Sequence, residues 1–453
     1  MKRIILTNKI YLSLMFPFII STITQPLLGA VDLAVIGHLS NENLISGVAI
    51  GTLIFNTIYW LFGFLRVSTT ACSAQLFNKS LPENANVFFR NIIIAFCIGI
   101  ILIFFQNIVF DIIIKFISPE DEIKKIIYLY FEILILGAPF VLINYVILGW
   151  MMGKGEIKSS LIMQIFGNII NILLDIIFVT IFKLDVQGVA YATLISQLLS
   201  TGIGIFFIFP KKFHNEFKLV EILKKDEIFR IFLVNKNLMI RTVFLLLHNN
   251  LIMKASSTLG SDIVAVNSIL LQIVSIISYA FDGVANTTSV FSGRAKGMDD
   301  NNLMKEVWKK NLLWGSILVL ITTVGYFIFY DRIITMFTNI EKIIIIASQY
   351  RYWVGLYPIL GFLGLTYYGV FTGTNITYPV AVSTCFGFFG FILSYKFLIP
   401  ILKNNGIWFS LLSFYFFRGV FLLPYLKLTL SKKEEEHRSV EIREFNLSKG
   451  REN

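Results

Sequence analysis

"QPLLGAVDLAVIGHL", Gln25–Leu39, is an apolar, helix-like run broken by one full charge, Asp32. What that carboxylate is for depends on whether the run crosses a membrane, and the rest of the chain decides this. Of 453 residues, 56% are hydrophobic and only 15% charged, with a mean hydropathy of +0.74. That is more apolar surface than a soluble fold of this length buries. Apolar runs of membrane-spanning length recur from end to end, and no polar stretch between them is long enough for a separate soluble domain. The expected fold is therefore all-α, a polytopic membrane protein.

Counting runs between polar or Gly/Pro punctuation gives about twelve spans of the ~20 residues a bilayer demands. They fall near 10–37, 43–76, 87–110, 122–151, 158–182, 186–209, 231–258, 262–292, 307–331, 343–372, 378–400 and 405–430. The expected organisation is a six-helix amino-terminal lobe (1–210), a basic cytoplasmic linker (211–230), a six-helix carboxy-terminal lobe (231–430) and a charged cytoplasmic tail (431–453). The Lys- and Arg-bearing connections share one side when "MKR" is placed in the cytoplasm, which puts both termini there. Loops such as "HLSNEN" and "STLGSD" carry almost no basic residues. The net charge of +11 is thus a topology signal, and no nucleic-acid partner is expected. The first run lacks a small-x-small cleavage site, so the first helix is expected to be retained.

The two halves repeat. Thr69-Thr70 matches Thr287-Thr288, Asp32 matches Asn250 and Gly188 matches Gly406 at one common offset, while "GWMMG" at 149 and "GVFTG" at 369 match two residues further on. Six spans per copy is an even number, so the copies share an orientation and are related by an axis along the membrane normal. Transporters of that plan hold their substrate sites between the halves near the midplane.

An ionisable side chain at mid-bilayer costs at least ~2.5–3.5 kcal/mol on insertion scales, which makes each one a candidate functional residue. Asp32 shares a helical face with Ser21 and Gln25. Asp175, in "MQIFGNIINILLDIIF", closes a stripe of Gln164, Asn168 and Asn171. Amides alone serve as interhelical glue, worth only ~0.6 kcal/mol on average. Two carboxylates on such stripes in one half point instead to an ion or proton site, since burial opposes ionisation and a bound cation favours it. Carboxylate, amide and hydroxyl oxygens also suit a hard cation.

Asn56, Tyr59, Asn144, and Thr193 with Gln197 are candidates to complete the amino-terminal cavity. Pro17 and Pro26 interrupt the backbone bonding of the first span and predict a bend beside Asp32. In the second half Arg241, Asn267 and Asp282 are candidates, with structural pairing among these and their polar neighbours the favoured account.

Enzyme signatures are missing. There is no HExxH or GxSxG, and "GWMMGKGEIKS" is one residue short of a phosphate loop. Cys72, Cys97 and Cys385 are isolated in apolar segments, so neither a disulfide framework nor a metal site is expected. The chain reads as a non-enzyme with no cofactor, whose transport would be driven by an ion gradient.

"PLLGAVDLAVIGHLS", "ISGVAIGTLIFNTIYWLFGFLRVSTTACSAQLF", "LGWMMGKGEIKSSLIMQIFGNIINILLDIIFVTIFKLDVQGVAYATLISQ" and "FDGVANTTSVFSGRAKG" together resemble the DinF-like branch of the multidrug and toxic compound extrusion (MATE) family. The resemblance covers nearly the whole chain except the tail. It implies two pseudo-symmetric six-helix lobes and a secondary antiporter that exports small organic, often cationic, compounds in exchange for H⁺ or Na⁺ as the lobes rock. The implied setting is the cell membrane, with lipid around a monomer. It also implies a coupling site at Asp32, Asn171, Asp175 and Thr193, a cavity including Gln25, and rearrangement of the first helix at Pro17. Two departures stand out: Ser289 occupies a position where related sequences usually carry an acid, and Glu132 one that is typically basic. The alternative is a flippase for lipid-linked precursors on the same two-lobe plan. A flippase is expected to need a strongly cationic cavity, whereas the clearest cavity charges here are acidic.

Overall fold

The structure, a computed structural model, describes residues 4–36, 42–117, 119–212 and 222–430; the side chains of 24–36, 42, 43, 45 and a few helix-end residues lie outside the description. Every element among the described residues is helical. In chain order these are α1 (Asn8–Ile36), α2 (Glu42–Leu61), α3 (Phe64–Gln75), α4 (Leu81–Phe104), α5 (Gln106–Ile117), α6 (Asp121–Ile135), α7 (Ala138–Lys154), α8 (Ile157–Ile176) and α9 (Asp185–Lys212). Then come α10 (Lys225–Ser257), α11 (Ser261–Gly297), α12 (Asn301–Ile328), α13 (Tyr330–Phe337), α14 (Glu341–Gln349), α15 (Arg351–Gly373), α16 (Tyr378–Leu402) and α17 (Asn404–Leu422). Ten helical stretches are long and apolar enough to cross a membrane, and α6 with α7, bent by 53° at a short break, make an eleventh. The described side chains of α1 add a shorter apolar helix, Asn8–Ile23. The all-α polytopic fold is therefore observed.

The breaks that the apolar pattern did not announce occur at equivalent places in the two halves. After the third long helix of each half comes a short one, α5 or α13, and the fourth is split, α6 from α7 and α14 from α15. The α6–α7 break is built locally. Gly137 precedes Pro139 at the start of α7, and Gly99 of α4 admits the turn, since a Cβ there would lie 2.4 Å from Pro139 Cα. At its other end α7 stops at Gly155, whose φ of +82° is the left-handed cap that glycine adopts without strain. Asp300 caps α12, its Oδ1 accepting from the Leu303 amide at 2.9 Å.

Packing divides the chain into two compact units. One comprises Ile20–Ser73 and Lys79–Thr242; the other comprises Met1–Ile19, Ala74–Asn78 and Val243–Asn453. The first, amino-terminal unit has an aromatic and aliphatic core of Val48, Phe55, Phe110, Tyr130, Phe131 and Val189. The second, carboxy-terminal unit has two cores, one around Phe281, Tyr357, Phe391 and Trp408, the other around Tyr11, Phe291, Val307 and Phe371.

The repeat read from sequence is also a repeat of contacts. A Cβ on Gly149 of α7 would lie 2.4 Å from the Arg66 carbonyl oxygen of α3; one on Gly369 of α15 would lie 2.2 Å from the Ala285 carbonyl oxygen of α11. Gly188 packs on Phe178, and Gly406 on Leu398, so the last helix of each half meets the preceding one in the same way.

Candidate functional site

In the amino-terminal unit the candidate coupling residues converge on the pair α8 and α9. Asp175 is 1% exposed and Asn171, one turn earlier on the same face of α8, is 4% exposed. The Asn171 amide donates to the Thr193 hydroxyl of α9 at 3.4 Å. A single π-type turn, Ile177–Ile181, follows Asp175 directly. It extends α8 with wider backbone bonding, from the Phe182 amide to the Ile177 carbonyl. Such turns recur at functional sites because they re-aim neighbouring side chains. A buried carboxylate beside an amide carbonyl and a hydroxyl is a set of oxygen donors suited to a proton or a hard cation.

The stripe continues up α8. Gln164 donates to the Ser21 hydroxyl at 3.0 Å and to the Ser160 carbonyl at 3.1 Å, tying α8 to α1. Asn168 is half-buried between them. Asn144 belongs to a separate knot: it donates to the Gln197 side chain at 2.9 Å and accepts from Thr201 at 3.0 Å, which joins α7 to α9. Thr193 and Gln197 lie one turn apart on α9, so α9 bears both polar clusters. On α2, Asn56 is exposed and Tyr59 half-buried, the latter ring 5.5 Å from Phe55. Pro17 is half-buried within α1. Asp32, Gln25 and Pro26 are carried on α1, but their side chains lie outside the described residues.

The carboxy-terminal unit separates its three candidates. Asn267 is fully buried and holds a complete network. It donates to Ser256 at 2.8 Å and to Asn404 at 2.7 Å, and accepts from Asn404 at 3.2 Å and from the Trp408 indole at 3.1 Å. Four well-placed bonds use all its capacity, which is the pattern of a structural amide. Asp282 of α11 accepts from the Tyr368 hydroxyl at 3.0 Å. Arg241 is half-buried on α10. Among the described residues no three His, Cys, Asp or Glu side chains are grouped to hold a metal.

Sequence reasoning missed Arg418. It is 1% exposed in the middle of α17, with its guanidinium carbon 5.6 Å from the Tyr368 ring centre. The signal was a lone arginine inside "SLLSFYFFRGVFLL", an intramembrane charge of the same kind as Asp32.

Comparison with known proteins places this architecture. A family model described as MatE matches residues 17–177 and 238–397, that is, both halves. DNA damage-inducible protein F of Escherichia coli is 30% identical over 419 residues, covering 92% of this chain and 91% of that protein. A probable multidrug resistance protein NorM of Photorhabdus laumondii is 24% identical over 436 residues, covering 91% and 94%. Among solved structures, an outward-facing multidrug resistance MATE family transporter of the MOP superfamily superposes with a TM-score of 0.82 at 17% identity, covering 92% of this chain and 94% of that one. A MOP superfamily transporter from Pyrococcus furiosus, described by a reversed polarity of its binding pocket, superposes with a TM-score of 0.82 at 19% identity, covering 92% and 96%. At such identities the structural likeness speaks for the fold.

Proposed function

Because the chain belongs to the MatE family, whose members are membrane transporters and not enzymes, we propose that it is a cation-coupled multidrug exporter. It carries small organic, often cationic, compounds outward in exchange for H⁺ or Na⁺, with 1–210 and 231–430 rocking as lobes and both termini in the cytoplasm. It needs no cofactor and acts as a monomer in the cell membrane.

The observation that carries the reading is Asp175, 1% exposed within a membrane helix and one turn from the Asn171–Thr193 hydrogen bond. A charge there is costly unless it is compensated or exchanged. A carboxylate that alternately holds a proton or Na⁺ turns that cost into coupling: the ion favours one conformation, and its loss favours the other. Asp32, on the first helix of the same half, is the second acid of this site. The neutral donors Asn171 and Thr193 supply the remaining oxygens.

The test is efflux of ethidium from proteoliposomes under separately imposed pH and Na⁺ gradients, with Asp32→Asn and Asp175→Asn beside the parent protein. Gradient-driven efflux lost in both variants, with ethidium binding and folding retained, supports antiport and identifies the ion. Efflux unchanged in both would sink the reading.

A further inference from the structure

Arg418 lies where three helices of the carboxy-terminal unit come nearest to one another. A Cβ on Gly387 of α16 would lie 2.8 Å from the Phe414 carbonyl oxygen and 3.3 Å from Arg418 Cβ, and one on Gly364 of α15 would lie 3.1 Å from the Gly419 amide nitrogen. Backbone approach from both sides fixes the turn of α17 that bears the guanidinium. A permanently charged group at this depth requires compensation from within the protein.

Tyr368 links it to an acid. Its ring faces Arg418 at 5.6 Å, and its hydroxyl donates to Asp282 Oδ1 at 3.0 Å. Tyr368 stands one turn beyond Gly364, so the same close packing positions both partners. A phenol that donates to a carboxylate gains electron density in its ring, and a desolvated cation over that ring is held more strongly. The aromatic ring therefore connects the two buried charges and leaves neither as an isolated ion.

We propose that Arg418, acting through Tyr368, is the resident counter-charge of Asp282, so that the carboxy-terminal half takes up no coupling ion and coupling is confined to the acids of the amino-terminal half. The inference rests on the antiporter reading above. It gives Asp282 and Asp175 opposite roles. A guanidinium cannot give up its proton in a protein and so stands permanently where a transported cation would otherwise bind. Asp175, in contrast, is grouped with a neutral amide and a neutral hydroxyl.

The other titratable groups packed around this core are Tyr357 of α15, Tyr415 of α17 and His248 of α10. The Tyr357 and Tyr415 rings are 4.8 Å apart, and His248 is 5.8 Å from Tyr415. Tyr357 meets Ser278, one turn before Asp282 on α11, at 2.5 Å. Further along α11, Tyr11 of α1 bonds Thr288, and Thr288 bonds Asn311. Tyr367 of α15 bonds the Trp308 carbonyl.

The experiment compares Asp282→Asn, Arg418→Gln, Arg418→Lys and the charge-balanced double variant Asp282→Asn/Arg418→Gln with the parent, all as full chains in detergent. Two quantities are read: protons released per tetraphenylphosphonium bound, in weak buffer, and the thermal unfolding midpoint. Asp282→Asn is expected to leave the proton count unchanged. Arg418→Gln is expected to add about one proton, because Asp282 without its counter-charge takes one up. The double variant returns to the parent count, and its midpoint recovers most of what each single variant loses. A proton count lowered by Asp282→Asn alone, or midpoint losses that simply add in the double variant, overturns the proposal. If Arg418→Gln does not fold, Arg418→Lys and the double variant still decide it. Should no variant release protons, proton antiport has failed, while the midpoint cycle continues to test the charge pairing separately.

Discussion

A Cβ added to Gly369 would lie 2.2 Å from the carbonyl oxygen of Ala285, closer than any real side chain approaches a backbone. The α11–α15 contact is thus built by the absence of a methyl group, as is common where membrane helices pack closely. Gly369→Ala must push the helices apart and is expected to destabilise the protein by ~1–3 kcal/mol, the usual cost of overpacking. Gly149→Ala, at the equivalent contact with Arg66, is expected to behave alike. Gly325→Ala, with nothing within 4 Å of its Cβ, is the control. Thermal unfolding in detergent checks the set, and equal midpoints for Gly369→Ala and Gly325→Ala would refute it.

Thr193→Val keeps the shape of the side chain and removes the hydroxyl that accepts from Asn171. As interhelical glue that bond is worth only ~0.6 kcal/mol, so the unfolding midpoint is expected to shift little. If the hydroxyl is part of the ion site, gradient-driven ethidium efflux falls about tenfold or more, a loss of about 1.4 kcal/mol in the driven step. A rate that drops only in step with stability would count against Thr193 as an ion ligand.

These two positions differ in how they were legible. The small-residue match of Gly149 with Gly369 was visible because a repeat preserves spacing, and the contact it makes follows from that spacing. Asn171 and Asp175 were visible because polar residues at helical intervals in an apolar run must share a face. The breaks at Phe105 and Tyr350 were not visible: both lie in apolar or aromatic stretches without proline or glycine, where composition reads the same on either side of a kink. Arg418 was overlooked because a single charge near a chain end reads as a boundary residue. Only its close packing against Gly364 and Gly387 shows it to be interior.

Asn267→Leu tests the structural account of the other buried amide. The substitution leaves the Trp408 indole and one Asn404 amide proton without their acceptor, and deprives Ser256 of a donor, all in a fully buried place. An orphaned buried donor costs ~1–3 kcal/mol, so the expected result is a large drop in midpoint. Whatever protein folds should keep its ion coupling. Measuring efflux per folded molecule separates the two effects, and loss of ion dependence at preserved stability would instead place Asn267 in the transport site.

His248 offers the sharpest contrast between burial and use. It is 1% exposed and stacks on Phe414 at 4.3 Å, with Phe391 at 4.7 Å and Tyr415 at 5.8 Å. Its Nδ1 lies 3.2 Å from Asn249 Oδ1, and its Nε2 has no hydrogen-bond partner among the described residues. A ring held this way packs as an aromatic residue, and the bare nitrogen costs free energy without returning any. His248→Phe therefore removes a buried polar atom at nearly constant volume and is expected to raise the unfolding midpoint or leave it unchanged, with the pH dependence of efflux preserved. Were His248 instead a proton carrier, the same variant would flatten the pH profile while remaining folded. The profile and the midpoint, measured on one preparation, distinguish a packing histidine from a coupling one.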